Sequence, residues 1–229
     1  MMAATPKDAA WSKLEGYAAS WGVPLSSQQR AAIEDYIERL LAYGAKTNLT
    51  AESDPSAILL RHVADGLAAA GALKRLLKGA PHPRILDLGA GGGFIGMAIK
   101  IGWPEADVTL MESLERKYRF LNAASAASGL KGLHVLLRRA GAGAADPRGS
   151  GFDAVTARAL ASLPESLALA LPLVRKGGCF LSFQSRLPDP SEPSLNKALA
   201  SHGGRLIESI PYRLPAEEQQ RFLSAFIHE

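Results

Sequence analysis

The chain has 229 residues, 47% of them hydrophobic and 21% charged, with a formal net charge of +4 and a sequence pI of about 9.3. That length holds one full domain plus an appendage, and the balance is that of a soluble globular protein rather than a disordered or fibrous one. A lone cysteine, Cys179, excludes a disulfide framework and a thiolate metal cluster, and no signal-peptide-like core or bilayer-length apolar run is visible.

The N-terminal residues Trp11, Leu14, Tyr17, Ala18 and Trp21 recur at helical spacing. Ser26 and Gln29 read as a capping box, and Ile33, Tyr36, Ile37, Leu40 and Leu41 continue the period behind it. Asp54-Pro55 reads as an N-cap followed by proline at the first helical position, leading into Ile58, Leu59, His62, Val63 and Leu67. Residues 6–80 therefore predict about three helices, and 1–80 is taken as a helical N-terminal region ahead of a core at 81–229. Pro81-His82-Pro83 punctuates the boundary.

Ile85 and Leu86 close an apolar run typical of a buried parallel strand, and Asp87 sits where it ends. Gly89, Gly91 and Gly93 follow, a loop almost without side chains that a ligand can approach closely. Phe94 to Ile101 resumes as a helix, whose N-terminus is expected to face whatever lies over the loop. Asp-x-Gly-x-Gly-x-Gly resembles motif I of S-adenosylmethionine (SAM)-dependent methyltransferases, and the carboxylate of Asp87 suits the ammonium of SAM. The rival is a dinucleotide fingerprint, which Gly91-x-Gly93-x-x-Gly96 matches literally. Asp87 opposes it, because a carboxylate beside a pyrophosphate is electrostatically unfavourable.

Beyond the loop, strands and helices alternate. Strands are expected at Val108–Met111, Leu133–Leu137, Phe152–Thr156 and Cys179–Phe183, and helices at Glu115–Ser128 and Pro164–Leu171. This alternation implies a parallel sheet with right-handed crossovers. Arg205–Ile210 and Phe222–Ile227 read as an antiparallel pair finishing it, and Ala140–Gly151 as a Gly/Ala loop. Cys179, inside an apolar strand, reads as an inert core residue, which suits a reducing cytoplasm. Together these elements predict an α/β protein with a class I SAM-dependent methyltransferase (Rossmann-like) sheet, parallel with a C-terminal antiparallel hairpin and preceded by the helical region.

Glu112 ends the second strand, 19 residues after Gly93, where a carboxylate accepts hydrogen bonds from a ribose. Phe94 is placed to cover the sugar or the methionine chain. The positive charge is uneven. Ser113–Arg139 holds Arg116, Lys117, Arg119, Lys131, Arg138 and Arg139 against Glu115 alone, which suggests a polyanionic partner. No cluster has metal-ligand spacing. His62 and Asp65 share a helix face, with Arg61 and Asp65 at i, i+4. They read as residues that dock the helical region on the core. Asn48 fits either a base edge or a turn cap.

Several stretches now converge on one family. Lys46-Thr47-Asn48-Leu49-Thr50, Asp54-Pro55 and Arg61-His62-x-x-Asp65 precede the glycine loop. Ser113-Leu114-x-x-Lys117-x-x-Phe120-Leu121, Phe152-Asp153-x-Val155-x-x-Arg158-Ala159 and Arg221-x-Leu223 follow it. Over roughly residues 25–227 the chain resembles the bacterial RsmG (GidB) family. The resemblance implies an enzyme that transfers the SAM methyl to N7 of a guanine in the 530 loop of 16S ribosomal RNA. It implies the small ribosomal subunit or its RNA as partner, a cytoplasmic location, and neither metal nor membrane. By position, Gly89, Phe94, Ala140, Gly141 and Arg158 match cofactor contacts of the family, and Arg139, Arg158 and Arg221 match arginines of its active-site face. The chain departs from the family pattern at Ile95, Gly141, Gln184-Ser185 and Phe222. Guanine N7 carries a lone pair and needs no deprotonation, so positioning groups suffice and no Ser/His/Asp or Cys/His set is needed. A SAM-dependent methyltransferase of a small molecule is the alternative.

Overall fold

The computed structural model describes residues 6–47, 52–141 and 149–229. Asn48, Leu49 and Thr50 of the first family stretch, and 142–148 of the expected Gly/Ala loop, lie outside the described residues. The chain opens with α1 (Pro6–Ser20) and α2 (Ser27–Thr47). The capping box is present: the Ser26 hydroxyl accepts from the Gln29 N–H at 3.2 Å, and Gln29 Oε1 accepts from the Ser26 N–H at 2.8 Å. A continuous helix follows, made of α3 (Pro55–Ala57), a π turn (Ile58–Val63) and α4 (Ala64–Leu76). Its N-cap is Asp54, whose carboxylate accepts from the Ser56 and Ala57 N–H groups. This helix is long and apolar enough to cross a bilayer, yet 72% of its most apolar window is buried inside the protein, so it is a core helix. Arg61, His62 and Asp65 interrupt its apolar stretch, so no unbroken apolar run marks it in the sequence.

The sheet has seven strands: β1 (Arg84–Leu88), β2 (Asp107–Glu112), β3 (Leu133–Leu137), β4 (Phe152–Ala157), β5 (Val174–Gln184), β6 (Gly204–Arg213) and β7 (Gln220–His228). Their order is β3-β2-β1-β4-β5-β7-β6, with β1 to β5 parallel and β7 antiparallel to both its neighbours. The hairpin expected from the sequence is present, with its second strand inserted between β5 and its first, so β6 is the outer edge. Two elements differ from the pattern. β5 begins at Val174 rather than Cys179, and a helix, α8 (Pro193–Ser201), lies where none was expected. Only Leu195 of α8 is buried, too little to print a helical period on the sequence.

Side chains alternate between two cores, as the two-residue period of a strand requires. Ile85, Val108, Leu110, Ala154, Cys179, Leu181 and Ala225 face one core, which they share with α1, α2, α4, α5 (Phe94–Gly102) and α6 (Glu115–Ser128). Leu86, Leu88, Met111, Val155, Phe180 and Phe226 face the other, covered by α7 (Leu163–Ala170) and α8. The N-terminal helices thus share one core with α5 and α6 on that face of the sheet. The close fit depends on Gly66 of α4, where a Cβ would lie 2.6 Å from the Ala98 Cβ and 2.9 Å from the Ile95 carbonyl oxygen of α5. Strand order reverses between β1 and β4, and the crevice at the carboxyl ends of these strands is where open α/β sheets bind ligands.

Candidate cofactor site and arginine cluster

The glycine loop leaves β1 at that reversal. Gly89, Gly91 and Gly93 have φ of 73°, 60° and 88°, the left-handed region that side chains resist. A Cβ on Gly89 would also stand 2.7 Å from Leu160 Cδ1, and one on Gly93 2.7 Å from Leu121 Cδ2. The loop is fastened from three directions. The Gly89 and Ala90 N–H groups donate to the Met111 carbonyl at 2.9 Å, and the Gly91 N–H donates to Glu112 Oε2 at 2.9 Å. From α2, the buried Tyr36 hydroxyl donates to the Gly92 carbonyl at 2.7 Å. Burial holds the Tyr36 phenol protonated far above its ordinary range, so it stays a donor. The sequence placed Tyr36 only on an apolar helix face; an isolated polar atom on a core-facing stripe was the one signal available.

Asp87 is 2% exposed and points beneath the loop. Its Oδ2 accepts from the Gly96 N–H at 2.9 Å and its Oδ1 from the Thr156 hydroxyl at 3.2 Å. Burial raises its carboxyl to about 6, against the lowering effect of these two bonds. The bond from Gly96 lies at the N-terminus of α5, the helix end expected to face whatever lies over the loop. That end already holds an anion, the protein's own carboxylate, on the amide a bound phosphate would seek. Gly96 itself serves packing: a Cβ there would meet Leu110 Cδ2 at 2.1 Å. Of the glycines that match a dinucleotide fingerprint, Gly96 thus has its N–H bonded to Asp87.

Glu112 ends β2 nearly buried. Its Oε1 accepts from the Ser113 and Leu114 N–H groups, both at 2.8 Å, while Oε2 holds Gly91. These bonds fix the carboxylate, and its chain neighbours Met111 and Ser113 line a cavity of about 280 Å³ with Leu88, Gly89, Arg138, Arg139 and Leu160 among others. This volume is near the lower end for small-ligand sites and suits a purine nucleoside portion. Leucine and methionine side chains on the wall and a backbone bared by glycine form a set that an adenosine group fits. Arg139 is exposed on the wall, and Ala140 lines it too. Gly141, with φ of 81°, follows directly.

Arg158 and Arg221 meet elsewhere, around a residue the sequence had placed only as a docking contact. Asp65, 1% exposed, accepts from Arg158 Nη1 at 2.7 Å and from the Tyr212 hydroxyl at 2.7 Å, and lies 3.8 Å from Arg221 Nη1. Arg221 also donates to Glu217 Oε2 at 2.6 Å, and Arg61 donates to Glu217 Oε1 at 2.9 Å. The i, i+4 pair of Arg61 with Asp65 is therefore not what forms. The intervening π turn changes the spacing around the helix, and the buried Asp65 and exposed Arg61 find separate long-range partners. The Arg158 guanidinium sits 5.6 Å from the centre of the Phe94 ring, and His62 packs on that ring at 4.5 Å. Burial and the nearby Arg158 depress His62 to about 4, and its Nδ1 is buried without a hydrogen-bond partner. Arg158 is followed by Ala159 at φ 53°, the one positive-φ residue other than glycine among the described residues, so the strand end is strained where the arginine is presented.

Cys179 is buried with its thiol pushed up to about 12, as an inert core residue should be. Among the described residues no group of His, Cys, Asp and Glu could hold a metal ion.

Comparison with known proteins fits this geometry. The family model GidB, rRNA small subunit methyltransferase G, matches residues 29–207. Ribosomal RNA small subunit methyltransferase G of Listeria monocytogenes serotype 4b (strain F2365) is 34% identical over 201 residues, covering 87% of this chain and 83% of the relative. The protein of the same name from Roseiflexus castenholzii is 36% identical over 202 residues, covering 88% and 84%. The crystal structure of a SAM dependent methyltransferase from Aquifex aeolicus superposes with a TM-score of 0.51 at 18% identity, over 76% of this chain and 94% of that one, which supports the fold. A match spanning α2 through β6, together with relatives alike along most of their length, shows that the chain belongs to the rRNA small subunit methyltransferase G (GidB) family.

Proposed function

We propose that the protein transfers the methyl group of SAM to N7 of a guanine in the 530 loop of 16S rRNA, acting on the RNA or the small subunit in the cytoplasm. The observation that carries the cofactor reading is Asp87 bonded to the Gly96 N–H. It fills the helix end that a pyrophosphate would need, and so favours SAM over a dinucleotide. In this reading the cavity beside Gly89, Ala140 and Gly141 takes the adenine, Glu112 the ribose hydroxyls, and Gly91, Gly93 and Phe94 the methionine side. Asp87 acts by holding the loop and by its charge near the ammonium. The names of the family and of its relatives supply the RNA substrate.

SAM, when bound, supplies an electrophilic methyl on a sulfonium. The chain has to place guanine N7 in line with it and tolerate the positive charge that passes from sulfur to the purine. Arg158, beside Phe94, and Arg221 are proposed to hold the guanine face, and Arg139, at the cavity wall, the neighbouring RNA. None acts as a base, and His62, neutral above about pH 4, adds no further positive charge.

Two measurements test this. Transfer of labelled methyl to 16S rRNA or the small subunit, followed by mapping of N7-methylguanine, is expected to place the label in the 530 loop. Transfer to small acceptors with none to RNA would overturn the reading. Glu112→Gln is expected to weaken SAM binding by about 1.5–3 kcal/mol, the range for hydrogen bonds to a charged group, with RNA affinity in the absence of SAM unchanged. Calorimetry showing unaltered SAM affinity would remove Glu112 from the site.

A further inference from the structure

Three arginines, Arg61, Arg158 and Arg221, face three carboxylates, Glu52, Asp65 and Glu217, in one connected cluster. Asp65 is its buried centre. It comes from α4, immediately after the π turn, a local irregularity that proteins often keep at functional positions. It joins three parts of the fold: α4, the end of β4 through Arg158, and the last two strands through Tyr212 and Arg221. Burying a carboxylate is costly unless it is paired, and here the partners include two of the arginines assigned to the methyl-transfer site.

Resting on that assignment, we infer that Asp65 is a positioning residue of the reaction, acting through Arg158. Two physical effects support this. The first is orientation: with Nη1 held at 2.7 Å by a buried carboxylate, the guanidinium cannot swing away from Phe94, and its remaining N–H groups keep a fixed direction. The second is charge. As N7 takes the methyl, its lone pair forms the new N–C bond, the S–C pair stays on sulfur, and the purine becomes cationic. An uncompensated guanidinium would oppose that charge, and would do so more in the transition state than in the ground state. The negative charge of Asp65 cancels the opposition, so Arg158 can donate hydrogen bonds to the base without acting as a net cation. Loss of Asp65 therefore slows transfer without weakening RNA binding.

The test is Asp65→Asn in single-turnover methylation at saturating SAM and 16S rRNA, paired with salt titration of RNA binding. The rate is expected to fall about 100-fold, the scale seen when one preorganised electrostatic group is removed. RNA affinity should be no weaker, and its salt slope steeper by about one unit, because one guanidinium has lost its internal counter-charge. Tyr212→Phe removes the neutral partner of Asp65 and keeps the charge; its rate should stay within about threefold of wild type, the worth of one neutral hydrogen bond. If Asp65→Asn does not fold, Asp65→Glu carries the test, with a slower rate and an unchanged salt slope. Wild-type rate in Asp65→Asn, or in Asp65→Glu where that variant stands in, overturns the inference. So does a parallel loss of rate, RNA affinity and melting temperature shared with Tyr212→Phe, which marks a structural role. Arg158→Lys separates the two levels: if it is slow while Asp65→Asn is normal, only this inference fails, and if it too is normal, the assignment of Arg158 fails.

Discussion

Arg158→Ala is expected to lower stability by about 3 kcal/mol and single-turnover methylation by at least about 100-fold. The stability loss comes less from the contact removed than from the group left behind. Asp65 is 1% exposed, and without Arg158 it keeps only the Tyr212 hydroxyl at 2.7 Å and Arg221 Nη1 at 3.8 Å. A buried charge deprived of its close partner is among the most damaging outcomes of a single substitution. The sign can be checked against a double variant. Arg158→Ala with Asp65→Asn removes both charges and should be more stable than Arg158→Ala alone, although it carries one more substitution. Urea unfolding of the four proteins in this cycle measures the effect. A double variant less stable than either single one would show that the pair is not held by its charges. The methylation arm is read under conditions where Arg158→Ala is folded, and wild-type turnover there would take Arg158 out of the mechanism.

The second large effect is a change of pH dependence. Asp87 has its carboxyl raised to about 6, chiefly by burial. In the unfolded chain the same group ionises near its ordinary value of about 4. Between about pH 4 and 6 the native state keeps a proton that the unfolded state has lost, so stability falls as pH rises through that window. His62 acts in the opposite sense. Burial first and Arg158 second depress it to about 4, so on acidification the unfolded histidine takes a proton from about pH 6.5 while the native one does not. Its contribution therefore falls as pH drops through nearly the same window, and in the wild type the two slopes largely cancel.

Separating them exposes each slope. Asp87→Asn should be more stable than wild type by roughly 2–3 kcal/mol at pH 7.5, two pKa units' worth, with stability that climbs from pH 4 to 6.5. The amide can still satisfy the site: its carbonyl accepts from the Gly96 N–H and its NH2 donates to Thr156 Oγ1, which retains the Leu86 carbonyl as acceptor at 3.4 Å. His62→Phe keeps a ring against Phe94 and removes the unpartnered Nδ1. Its stability should fall from pH 4 to 6. Denaturant titrations at half-unit steps of pH test both slopes, and two variants with profiles parallel to wild type would show that neither burial effect operates.

The proposed cofactor half of the candidate site is more legible in the sequence than the arginine half. Asp87, the three glycines and Glu112 lie at a strand end, in one loop and at the next strand end, and neighbouring parallel strands bring these ends together. Local order along the chain therefore implied their meeting. The direction in which Asp87 points was not legible, because it follows from the Gly96 N–H and Thr156 hydroxyl beneath it, nine and 69 residues away. Tyr36 and Asp65 were seen as members of helical patterns, since the atoms they bond, on Gly92, Arg158 and Tyr212, are contributed by distant segments. The π turn left no mark on the pattern: Leu59, Val63 and Leu67 are all buried and keep the i, i+4 spacing of an ordinary helix.

What the sequence determined by itself is what short-range physics encodes. Periods of two and of 3.6 residues placed the strands and most helices, Ser26 with Gln29 and Asp54 with Pro55 set helix starts, and glycines marked the loop where positive φ is needed. The tertiary structure decided which charges are compensated. Read along the chain, Arg61, Arg158 and Arg221 are three positive charges spread over 161 positions. Folded, they share three carboxylates around Asp65 and form no open cationic face. Pairing of this kind depends on burial and on distances between segments far apart in sequence. Asp65 is forced to find partners only because α4 is pressed against the sheet and water is excluded from it.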